Sequence, residues 1–224
     1  MKRKKSKKRV KRSSNIALLL FTIIFSFVLI DQFLKLNVEE KAVKFLPNPV
    51  AEDVHKYTPV LRRELEEVNL EEYTLVLAAI MQQESKGKGG DPMQASESAG
   101  LPPNSISDPE KSIKQGVKHF QRAFNYGNQK NVDFPTVIQA YNMGIGYIDF
   151  VAKQGGKHSE EIAKKFSLVQ AEKNPQVYNC GGDKNNFRYP YCYGDFTYTT
   201  KVTKNIEILT ASNSEKTGDF KSVW

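Results

Sequence analysis

Side chains for metal and thiol chemistry are scarce in this sequence, with two cysteines and three histidines in 224 residues. There is no His-Glu-x-x-His, no paired Cys-x-x-Cys and no calcium-loop pattern, so no metal site is expected. Internal repeats, heptad runs and strand-rich stretches are also absent, which argues against solenoids, coiled coils and β-sandwiches. Net positive charge is missing from most of the chain despite a total of +8. Residues 2–12 hold nine Lys/Arg and no acid, and residues 1–36 hold ten bases and one acid. The remaining residues 37–224 therefore hold 33 − 10 = 23 bases against 25 − 1 = 24 acids, a net of −1. Nucleic-acid binding needs a basic face on the folded domain, so no nucleic-acid partner is expected.

The basic tail, residues 1–14, runs into Ile16–Ile30, which has no charge and is rich in Leu, Ile and Phe. Such a segment is a signal-peptide core or a membrane anchor. Phe33, Leu34 and Leu36 extend the apolar run, and bulky Phe27-Val28-Leu29-Ile30 offers no small-x-small cleavage pattern. The reading favoured is an uncleaved single-pass anchor over residues 15–36 in the cytoplasmic membrane, with secretion after cleavage as the alternative. Either way, the lysines stay inside and everything after about residue 36 is exported. Export gives Cys180 and Cys192 a natural reading as a disulfide. Two free thiols remain an alternative, as does one catalytic thiol, which would need His55, His119 or His158 as its partner.

Residues 37–55, with Leu46-Pro47-Asn48-Pro49, read as a linker. From 56 to 212 the pattern is helical. Thr58-Pro59 starts a helix carrying Leu61, Leu65 and Val68. The segment 71–85 is apolar nearly all round, as a central buried helix would be. Asp108-Pro109 opens a helix with Ile113, Val117, Phe120 and Phe124 on one face. Shorter helices are expected over about 135–144 and 145–154, then one capped by Ser159, and a last one capped by Asp195 with Tyr198, Val202, Ile206 and Leu209 on one side. The fold class is all-α, with two long loops at 86–107 and 174–197, and a polar tail at 213–224. Loops of that length in a compact domain usually carry function.

Glu84 closes the most apolar helix and precedes the glycine-rich turn Lys86–Gly90. A carboxyl there is poorly solvated and faces the negative end of the helix dipole, so its neutral form is favoured. That is how a side chain becomes a general acid near neutral pH. Further candidates lie at Ser85, in Asp91-Pro92-Met93-Gln94 and Ser96-Glu97-Ser98, in Ala140-Tyr141-Asn142-Met143-Gly144, and at Asp195 with Tyr198.

In this order the four elements resemble the goose-type lysozyme and lytic transglycosylase superfamily. The wording Met81-Gln82-Gln83-Glu84-Ser85, with Gly89–Gln94 and Ser96-Glu97-Ser98, looks most like the lysozyme-like domains of Gram-positive conjugative-element cell-wall hydrolases and pneumococcal vaccine antigen A-like proteins. The resemblance implies a lysozyme-like fold, peptidoglycan glycan strands as substrate, and cleavage of the β-1,4 bond between N-acetylmuramic acid and N-acetylglucosamine. It also implies Glu84 as the acid and no cofactor. Asp91 is the candidate second carboxylate, standing where a typical transglycosylase has a Gly-Leu pair; this favours a muramidase that uses water. Its alternative role is to cap a turn before Pro92. Glu97 is a weaker candidate for the second carboxylate. Ser85, Gln94, Tyr141, Asn142 and Tyr198 are expected around the saccharide or Glu84. The competing functions are a lytic transglycosylase and a non-catalytic scaffold recruited by cell-wall or divisome proteins.

Overall fold

The computed structural model describes residues 53–217. The basic tail, the anchor at 15–36 and nearly all of the linker lie outside the described residues, as does the end of the polar tail. Among the described residues no helix is long and apolar enough to cross a membrane.

Among the described residues seven α-helices are bounded: α1 (Thr58–Glu66), α2 (Thr74–Glu84), α3 (Pro109–Gln129), α4 (Phe134–Met143), α5 (Gly146–Ala152), α6 (Glu160–Lys173) and α7 (Tyr198–Thr217). Short 3-10 turns occur at Glu71–Tyr73, Glu97–Ala99 and Cys180–Gly182. Several boundaries follow from the expected caps. Asp108 accepts from the Glu110 N–H and Ser159 from the Ile162 N–H. At α4 the cap is Asp133, which accepts from the Thr136 N–H one residue earlier than the Pro135 signal suggested. Each such cap satisfies a backbone donor that the helix itself leaves unpaired.

α2 is central because it has no polar face to give to water. Leu77, Ala78, Ala79, Ile80 and Met81 are all buried, and its main neighbour is α7, with α1 on another side. The core continues through Leu61 and Leu65 of α1, Ile113, Val117 and Phe120 of α3, Val137 and Ala140 of α4, Tyr147 and Ile148 of α5, and Val202 and Leu209 of α7. Each large apolar side chain buried here contributes roughly 1.5–3 kcal/mol. Around Phe120 an aromatic cluster forms, with Tyr73, Phe124 and Phe134 all within 6.4 Å of one another or of Phe120, centroid to centroid.

Two features of this frame set the site. The loop after α2 packs back onto α3 because Gly116 has no side chain: a Cβ there would lie 2.8 Å from the Met93 side chain. The N-terminus of α7 is brought against the C-terminal half of α4, described below.

Candidate active site

Glu84 is partly buried at the C-terminal end of α2, where Ser85 ends the helix and the chain reverses through Lys86 and Gly87, both at positive φ. Ser85 makes that reversal reproducible. Its Oγ accepts from the Gly87 and Lys88 N–H groups and donates to the Pro92 carbonyl at 2.7 Å. Ser85 therefore ties the end of α2 to the following loop.

Burial pushes the Glu84 carboxyl up from 4.5 to about 7, and the negative charge of Asp91 pushes the same way. The one opposing influence is the hydroxyl of Tyr198, which donates to Glu84 Oε1 at 2.5 Å and favours the carboxylate. Tyr198 comes from α7 and is 2 % exposed, with its hydroxyl donating to Glu84. The result is a carboxyl whose neutral form is favoured well above the ordinary carboxylate range, as a general acid near neutral pH requires.

Asp91 has the opposite character. It is 4 % exposed, and both of its oxygens are held by two hydrogen bonds each. Oδ1 accepts from the Ala95 N–H at 2.9 Å and the Ser112 hydroxyl at 2.6 Å; Oδ2 accepts from the Ser96 N–H at 3.1 Å and the Ser96 hydroxyl at 2.5 Å. Burial alone would raise its pKa, but these donors together bring it below the ordinary carboxylate value. Asp91 is thus a fixed anion that organises the loop 91–96 and holds it to α3. Two carboxyls seven positions apart are driven in opposite directions by their surroundings, the pattern by which enzymes separate an acid from an anion.

Of the other candidates, Gln94 and Tyr141 contact the Asp91 loop, while Asn142 and Glu97 face other segments. Gln94 is exposed at positive φ, and its amide donates to the Asp91 carbonyl and to Asn104 Oδ1. With Lys88, Gly89, Gly90, Asp91, Asn104 and Ile106 it lines an open cavity of about 280 Å³. Tyr141 is buried, and its hydroxyl donates to the Met93 carbonyl at 3.1 Å, supporting the same loop from α4. Asn142 turns its Oδ1 to the Asp195 N–H at 2.7 Å. Glu97 is exposed on the loop, and its charge is felt by Tyr193. Cys180 and Cys192 are joined by a disulfide, and no free cysteine occurs among the described residues, so the thiol-nucleophile alternative falls. Among the described residues no His/Cys/Asp/Glu group could hold a metal ion.

Two residues that the sequence reading passed over are integral. Ser112 donates to Asp91 and accepts from the Met93 N–H. Gln139 is fully buried and bonded at both ends of its amide. Each is a buried, uncharged polar residue with apolar sequence neighbours, Ile113 after Ser112 and Ile138 and Ala140 on either side of Gln139, and no stronger signal in the sequence marks them.

A helical domain whose buried helix ends in a protonatable glutamate, with a tyrosine on it and a hydrogen-bonded loop beneath, is the lysozyme-like arrangement. The family profile described as Lysozyme-like matches residues 51–206, and the chain belongs to that family. It is 47% identical over 207 residues to the uncharacterized membrane protein YocA of Bacillus subtilis, covering 91% of this chain and 92% of that one. Pneumococcal vaccine antigen A of Streptococcus pneumoniae is 32% identical over 70% of this chain and 80% of its own. The bifunctional muramidase/DL-endopeptidase CwlT of B. subtilis is 42% identical over 124 residues, which is 55% of this chain and 37% of CwlT. Among solved structures, a Staphylococcus aureus protein described as similar to a lipoprotein of the NLP/P60 family matches with a TM-score of 0.59 and 38% identity. That match covers 69% of this chain and 52% of the other, so the chain spans about half of that structure's length.

Proposed function

We propose that this protein is a peptidoglycan hydrolase, an N-acetylmuramidase that cuts the β-1,4 bond from N-acetylmuramic acid to N-acetylglucosamine, with Glu84 as general acid. The observation that carries the reading is the Glu84 carboxyl, raised to about 7 and held by Tyr198. CwlT, a bifunctional muramidase/DL-endopeptidase that shares 124 aligned residues with this chain, supports the same substrate.

In this mechanism Glu84 gives its proton to the bridging glycosidic oxygen as the bond to the muramic acid anomeric carbon breaks. The departing sugar leaves as a neutral alcohol, and positive charge develops on the ring left behind. Water then attacks the anomeric carbon and returns a proton to the Glu84 carboxylate. Tyr198 donates to that carboxylate and steadies it while it is ionised. Asp91 supplies a permanent negative charge near the acid. That charge adds to burial in keeping Glu84 protonated before reaction and favours a cationic ring during it. With both oxygens already accepting two hydrogen bonds, Asp91 is a weak base and a poor nucleophile, so its part is electrostatic.

The same saturation of Asp91 is the observation that favours a second reading, a lytic transglycosylase. There Glu84 acts alone, first as acid and then as base, and the 6-hydroxyl of the muramic acid closes a 1,6-anhydro ring in place of water. Mass analysis of products released from purified peptidoglycan separates the two, because an anhydro-muropeptide is lighter by one water. Reducing-end muropeptides support the muramidase; anhydro-products throughout refute it. A Glu84→Gln protein that cleared walls as fast as wild type would refute both and revive a non-catalytic scaffold. Membrane anchoring through residues 15–36 and recruitment by wall or divisome proteins belong to the same proposal, in line with the description of YocA as a membrane protein.

A further inference from the structure

The Tyr198 hydroxyl reaches Glu84 only while the first turn of α7 is held at one place on α4. We propose that Gln139 is a positioning residue of the catalytic centre, its amide gripping the chain on both sides of Tyr198 and so fixing that hydroxyl on the acid. The inference rests on the reading of Glu84 as general acid.

The geometry is specific. Gln139 Nε2 donates to the Asp195 carbonyl at 2.7 Å, three residues before Tyr198. Gln139 Oε1 accepts from the Thr199 N–H at 3.1 Å and the Thr199 hydroxyl at 3.0 Å, one residue after it. A primary amide donates from one atom and accepts at another, so it can hold two separate segments at once. A leucine would do neither, and a glutamate would lose the donor. Gln139 is fully buried, so no water can replace either bond without opening the α4–α7 contact.

The surroundings support a local role. Asp195 is held independently through its N–H on Asn142 and through its carboxylate, which accepts from Thr197 and Lys201. Gly194 approaches α4 so closely that a Cβ would stand 2.9 Å from Asn142 Oδ1. Beyond the first turn, α7 is secured by buried Val202 and Leu209, and by Asn205 donating to the Ala79 carbonyl. On loss of Gln139 the Thr199 hydroxyl keeps only the Pro135 carbonyl, at 3.2 Å, so the turn that carries Tyr198 is expected to loosen while the rest of α7 stays docked. The Tyr198 bond works against burial at Glu84. Weakening it raises the pKa of the acid and removes a support that its carboxylate needs in turnover.

The test is a double-mutant cycle on the full-length protein, reading turnover of soluble glycan strands against pH for wild type, Gln139→Leu, Tyr198→Phe and the double variant. Both single variants are expected to lower kcat about tenfold with little change in KM, and to move the alkaline limb of the profile to higher pH. The double variant is expected to be no slower than Tyr198→Phe alone, because both changes remove the same contact. Losses that multiply in the double variant, or a Gln139→Leu profile with an unmoved alkaline limb, overturn the proposal. Should Gln139→Leu fail to fold, Gln139→Glu, which keeps its size and acceptor, decides by the same criteria. A Glu84→Gln control separates the two failures. If that control retains turnover, the acid assignment itself is wrong. If it is inactive and the losses multiply, only the role of Gln139 is wrong.

Discussion

Holding a carboxyl protonated at neutral pH costs the fold stability, and replacing Glu84 with glutamine reads that cost directly. The Glu84 pKa rises from 4.5 to about 7 on folding, chiefly through burial. Between those values the folded protein binds more protons at this site than the unfolded chain, so stability falls as pH rises through the interval. Above about pH 7 the deficit is complete. Taking about 1.36 kcal/mol per pKa unit, it amounts to at most about 3 kcal/mol, trimmed because the carboxyl is only partly buried. Glutamine is neutral at every pH, and its carbonyl can still accept the Tyr198 hydroxyl. Glu84→Gln should therefore match wild type near pH 4 and exceed it near pH 8 by up to about 3 kcal/mol, which is roughly 6–12 °C in melting temperature for a domain of this size. Thermal unfolding followed by far-ultraviolet circular dichroism at pH 4, 6 and 8 measures the gap, and the variant should be inactive throughout. Other titrating groups contribute equally to both proteins and cancel. A gap that stays constant with pH would refute the argument that burial keeps this carboxyl protonated.

The remaining predictions concern the anion and the loop. Asp91→Asn leaves at least one of the Ser96 and Ser112 donors without an acceptor and should destabilise the fold by roughly 2–3 kcal/mol at neutral pH, measured by urea unfolding. Because the Asp91 pKa is depressed, that contribution is present above the unfolded value and disappears as pH falls through the folded one, so wild type and variant should converge in acid. The same substitution removes a charge that raises the Glu84 pKa, so the alkaline limb of activity should move to lower pH. Replacing Cys180 and Cys192 by serine opens the crosslink between positions 12 apart and should cost about 3 kcal/mol in the chain-entropy account, read by chemical unfolding. Limited proteolysis of that variant should cut first within 174–197, where Phe187 and Tyr189 are already exposed.

Helix number and order were legible because each helix buries a stripe against its neighbours, and burial writes itself into the sequence at helical spacing. Glu84 was marked by an acid closing a mostly apolar helix, although a glutamate at a helix end is ordinarily a surface residue. Residues whose value lies in what they touch across the fold were harder to read. Asp91 reads equally well as a second catalytic carboxylate or a turn cap, and only its partners on the loop and on α3 reveal how completely its oxygens are used. Tyr141 and Asn142 were expected at the saccharide. In the fold the hydroxyl of one supports Met93, and the carbonyl of the other holds Asp195. Ser112 and Gln139 escaped because an uncharged polar residue among apolar sequence neighbours looks incidental. It is better taken as a demand: a buried donor or acceptor must be met, and what meets it is a distant segment that the fold has to hold in place. Here the segments so held are the loop beneath Glu84 and the turn that carries Tyr198. The polar interruptions of the core are thus where the acid's surroundings are built.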